Sequence, residues 1–120
     1  NLSHHGKDPS NIGELKLIES AIFEQLASFL SRLKQTQEQD STLLDQTTVL
    51  VTSNLGNASN HSNKNLPVLL AGGRFNHGQH LVFDPPNTNP LCNVFVSMLQ
   101  QLGIETDGFG TSNGTLTGLS

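Results

Sequence analysis

The sequence predicts a layered α/β fold: a small, mainly parallel sheet flanked by two amphipathic helices. Three observations carry this. Apolar residues step by three and four from Leu15 to Leu33 and again from Leu91 to Leu102, the spacing of helices with one buried face. Two short apolar runs, "TTVLVTS" at 47–53 and "LPVLLAGG" at 66–73, sit between polar or glycine-bearing segments. Neither run alternates, and unbroken apolar runs are the pattern of strands covered on both faces.

Taken in order, "HGKDPSNIGELK" is a loop feeding the first helix. Asp8 before Pro9 is one start signal, and Asn11 with Glu14 three residues later is a second. The stripe Leu15, Ile18, Ile22, Leu26, Phe29 and Leu33, widened by Phe23 and Leu30, carries the helix from about 11 to 35. "QTQEQDST" is a polar loop, and the first buried strand follows it. "NLGNASNHSNKN" at 54–65 has no apolar run to pack and is an exposed loop before the second strand. "GQHLVF" at 78–83 is a short third strand at an edge, and "DPPNTNP" breaks the chain. Asn89 caps a second helix that begins at Pro90, and Gly103 ends it. The polar, glycine-rich 106–120 is a surface tail or an extended cover segment.

At 120 residues this is one α/β domain with a modest core. Two or three doubly covered strands need neighbours, so missing chain or another subunit is expected to complete the sheet. Exposed strand edges make a homo-oligomer the expected state. The chain lacks an initiator Met and reads as a processed or excised piece. Net charge is −4 and the six Lys and Arg residues are scattered. No basic stripe follows a phosphate backbone, which argues against nucleic acid. No run approaches the roughly 20 apolar residues of a membrane span. The single cysteine, Cys92, excludes an internal disulfide and falls in the apolar pattern of the second helix, where an inert thiol is expected.

Chemistry-bearing residues are few. Ligand groups in open α/β sheets collect in loops beyond the carboxyl ends of strands. The loop after Ser53 has that position and carries His61. His4 or His5 could join His61 as neutral imidazole ligands of a divalent metal such as zinc. The loop itself offers no Asp, Glu or Cys, only Asn54, Asn57, Asn60, Asn63 and Asn65. Ser3 beside the histidines has no oriented carboxylate to make a triad, and the glycines of "AGGRF" lack phosphate-loop spacing. His77 and His80 flank a glycine turn and read as surface residues.

"LSHHGKDPSNI", "TLLDQTTVLVTSNLG", "NLPVLLAGG", "GQHLVF" and the closing "FGTSNGTLTGL", in series, resemble the C-terminal part of the bacterial HxxSHH family of uncharacterised proteins. Members occur in planctomycetes and marine bacteria and are often exported. Ser3, His4 and His5 match the end of the signature, whose leading histidine would fall just before Asn1. The family is in turn remotely similar to the alkaline phosphatase/sulfatase superfamily, which implies a partial three-layer α/β sandwich. Active hydrolases of that superfamily carry a metal-binding Asp-His pair at the strand end, where this chain has Asn54 and Leu55. Asn63 stands where relatives often have a second histidine. The superfamily's nucleophile and first metal half lie upstream of this chain.

The resemblance therefore implies a hydrolase-like, periplasmic or extracellular protein with a histidine metal site at His4, His5 and His61, not catalytic by itself. The alternative is a non-catalytic binding or cell-surface interaction protein that has lost the metal pair.

Overall fold

Asp8 starts the first helix. Its carboxylate accepts the Ser10 N–H at 2.8 Å, and Pro9 fills the first helical position, where a missing N–H costs nothing. Helix α1 then runs Pro9–Gln35. The first of the two start signals is therefore the one used. The computed structural model that shows this describes residues 2–83 and 88–119, so 84–87 of the expected breaker lie outside the described residues. The chain forms two compact units, residues 1–71 and 72–120.

In the first unit α1 stops at Thr36, whose N–H and hydroxyl both donate to the Arg32 carbonyl, at 3.0 and 2.8 Å. The expected polar loop is instead a hairpin. Strand β1, Gln37–Glu38, pairs antiparallel with β2, Ser41–Thr42, with Gln37 opposite Thr42 and Glu38 opposite Ser41. Gln39 makes the turn with a φ of 52°. The Asp45 carboxylate accepts from the Thr42 N–H and hydroxyl at 2.8 and 2.7 Å. Leu44 N–H donates to the Leu33 carbonyl at 3.1 Å, which ties the hairpin to the helix end. Two-residue strands without an apolar residue leave no periodicity to read.

Strand β3, Thr48–Thr52, lies beside β4, Val68–Gly72. Both fall inside the runs that predict them. Their surroundings do not match. Among the described residues every sheet has two strands, the β1–β2 pair is antiparallel, and 78–83 forms no strand. The small, mainly parallel sheet of an alkaline phosphatase/sulfatase-like three-layer sandwich is thus not the fold of this chain. The physical reason lies in the coverage and the connections. Parallel strands of such a sandwich are joined by helical crossovers, whereas the segment between β3 and β4 holds only the 3-10 turn Ala58–Asn60. Val49, Leu50 and Val51 stay half-buried, and Leu33 is the buried residue of α1. An apolar β-branched run signals a strand, but not what lies on its two faces.

In the second unit α2 runs Cys92–Gln101 and buries Asn93, Val94, Val96 and Ser97. Leu91 stands at its N-cap position with no side-chain cap, so Asn89 does not cap the helix. Gly103, at φ 78°, turns the chain out of it as expected. The residues after 106 are a cover segment. Asn93, 1% exposed, accepts the Asn113 N–H at 3.0 Å and donates to Asn113 Oδ1 at 2.8 Å. Ser97 Oγ donates to the Asn93 carbonyl and accepts the Leu116 N–H at 2.9 Å. These bonds hold a polar tail on the helix, and Leu119 is buried at its end. Among the described residues no helix is long and apolar enough to cross a membrane.

Candidate histidine site

Two short turns of the first unit meet at this site. The 3-10 turn Leu2–His4 leads through Gly6 and Lys7, both at positive φ, into the α1 cap, where Asp8 N–H donates to the His5 carbonyl at 2.8 Å. The second turn, Ala58–Asn60, is capped by Asn57, whose side chain accepts the Ser59 N–H at 3.0 Å. Asn57 and Ser62 bridge the loop across it, so the polar loop is folded on its own backbone. Gly56 is required there: a methyl group at its Cα would collide with the Lys64 carbonyl. His61 closes the turn in the left-handed conformation, φ 54° and ψ 33°. Histidine enters that region more readily than most residues, yet it remains strained.

The turns are joined at two points. Gly6 N–H donates to Ser59 Oγ at 3.1 Å. His4 Nε2 lies 2.7 Å from His61 Nε2, across 57 residues of sequence, with the rings 87° apart. At that distance one imidazole donates its N–H and the other accepts with its lone pair. Ser3 Oγ sits 3.2 Å from His4 Nδ1 and couples the hydroxyl's orientation to the tautomer of the pair.

Of the three expected ligands, the fold brings together His4 and His61 and turns His5 to another use. Lys7 N–H donates to His5 Nδ1 at 3.0 Å. The neutral His5 ring then carries its proton on Nε2, and neither nitrogen presents a free lone pair. Asn54 and Asn63 are exposed, and Leu55 brings an apolar side chain. Among the described residues no cluster of three or more His, Cys, Asp or Glu side chains could hold a metal ion. The donor set is therefore a pair, short of the three protein ligands of catalytic zinc.

The remaining reactive groups belong to the second unit. His77 Nε2–H donates to the Gly72 carbonyl at 2.8 Å, a turn contact that fits its exposed position. Cys92 is half-exposed at the start of α2, not an enclosed core thiol. The Thr111 hydroxyl, 3.5 Å from the sulfur, holds its pKa below the ordinary thiol value. Ser59 and Gly56 give no sign of a role in the sequence; the Asn57–x–Ser59 cap is the one local signal that the loop is built. Compared with family models, curated proteins and solved structures, the chain matches none.

Proposed function

We propose that this chain is a divalent-metal-binding protein, not catalytic by itself, in which His4 and His61 supply two imidazole ligands to an ion such as zinc. The observation that carries the reading is the 2.7 Å Nε2–Nε2 approach. Both nitrogens are aimed at the point between them where a single proton now lies. Replacing that proton with an ion requires the rings to part to roughly 3.3 Å, the separation of two nitrogens each about 2.0–2.1 Å from one zinc. Exposed side chains on two turns can make that movement. Water, or groups from another molecule, would fill the other positions of a tetrahedral shell.

A hydrolase-like role for a larger assembly rests on the resemblance of "LSHHG" and the later segments to the HxxSHH family, as do periplasmic or extracellular residence and a bacterial origin. Asn54 and Leu55 favour the second reading, a binding or cell-surface interaction protein without catalysis. Both readings include self-association, since two-stranded sheets leave every strand with an unpaired edge.

Cobalt(II) titration followed in the visible range tests the metal pair. Wild type and His5→Ala should develop ligand-field absorption with the same affinity. His61→Asn, which tolerates the left-handed backbone, should lose it by tenfold or more. Equal cobalt binding by wild type and His61→Asn would remove the basis of the proposal.

A further inference from the structure

An uncovered apolar row lies along one side of α1, while Leu17 and Phe23, also exposed, lie on its other sides. Ile18, Ile22 and Phe29 are 48, 58 and 47% exposed. With Gln25 they form a row at spacings of four, three and four residues, a single stripe down one side of the helix. Leu26, Leu30 and Leu33 face elsewhere and are half-buried or buried. Exposed apolar stripes of this length mark interaction surfaces.

The stripe is self-complementary when reversed. A second α1 laid antiparallel, with the two-fold axis passing midway between Phe23 and Glu24, sets Ile18 of one copy against Phe29 of the other. Ile22 then meets Gln25. On the same flank, Glu14 sits near the beginning of the stripe and Arg32 near its end, both exposed. The same reversal carries Glu14 to within one residue of the second copy's Arg32, twice per dimer. A two-fold interface demands this property of a surface, that each residue find its complement on an identical patch. A parallel pairing would leave the two copies' Glu14 level at one end and their Arg32 level at the other, on opposite flanks, with no Glu14–Arg32 pair.

We propose that this α1 face docks a second copy of the chain, antiparallel, with Ile18, Ile22 and Phe29 as its apolar row and Glu14–Arg32 as its paired charges. It is a different surface from the strand edges and does not depend on the metal pair. From Glu14 to Arg32 the face spans roughly 27 Å of the helix at 1.5 Å per residue, a contact of the kind that left-handed helix pairs use.

Sedimentation equilibrium on the full chain and its variants tests the proposal. The wild type should dimerise, and Ile22→Glu should be monomeric with unchanged helicity by circular dichroism. Glu14→Arg and Arg32→Glu should each weaken the dimer about tenfold, as expected for two exposed pairs turned repulsive. The double variant Glu14→Arg/Arg32→Glu should recover wild-type association. A monomeric wild type overturns the proposal. So does a dimer indifferent to Ile22→Glu, which would place the interface at the strand edges. Failure of the double reversal to restore binding would exclude the antiparallel register.

Discussion

At the scale of single residues, what a side chain does here follows from which lone pair is already taken. His4 and His5 are adjacent in sequence and chemically identical. One backbone N–H, that of Lys7, occupies His5 Nδ1 and leaves His4 to meet His61. The sequence places three histidines as candidates; the distinction among them depends on a turn at Gly6 and Lys7 that no periodicity encodes. Cys92 is a similar case. Its apolar neighbours point to an enclosed thiol, but it stands at the first turn of α2, where Thr111 donates to it. Hydrogen bonds to sulfur favour the thiolate, so the folded pKa lies below the unfolded one. The thiolate fraction of the folded chain should then exceed that of the unfolded chain as pH approaches the ordinary thiol pKa of about 8.5 from below. The corresponding stabilisation is present above the unfolded pKa and is lost as pH falls through the folded one. Thr111→Val should slow alkylation of Cys92 by iodoacetamide in that window. An unchanged rate would mean that the hydroxyl does not tune the thiol.

At the scale of elements, the chain was legible wherever the signal was local. The Asp8-Pro9 start of α1, the end of the helix at 35, the core of β3 and the Gly103 stop all lie where residue chemistry puts them. What depends on a distant partner was less legible. "GQHLVF" has the composition of a strand, but a strand needs a partner, and Gln79 instead donates to the carbonyls of Asn76 and Gly118. The polar tail has no apolar period, yet it is held by the buried amide of Asn93 and by Ser97. A buried asparagine inside an apolar helix was the available signal, since such a group persists only when bonded. Asn93→Leu would leave the Asn113 and Thr115 groups without their partner. It should destabilise the second unit by about 2–3 kcal/mol and raise hydrogen exchange at Asn113 and Leu116. Undiminished protection at both amides would show that the tail is held by other contacts.

At the scale of the whole molecule, two units of modest core stand in place of one covered sheet. The sequence expresses an amphipathic α1, but amphipathicity states only that a face is to be covered, not by what. Within this chain Leu33 is buried while Ile18, Ile22 and Phe29 remain open. An apolar stripe and an apolar strand are read equally well whether the partner lies in the same chain or in another, which is why the expected sandwich did not follow from its parts. The histidine pair shows the same limit from the other direction. The sequence offers three histidines, and the fold brings two of them together. X-ray absorption on the zinc-loaded chain measures that selection directly. Two imidazole nitrogens are expected at about 2.0–2.1 Å from zinc, with oxygen completing the shell, unchanged in His5→Ala and losing imidazole in His61→Asn. A zinc shell without imidazole, or one that changes with His5 and not with His61, would contradict that expectation.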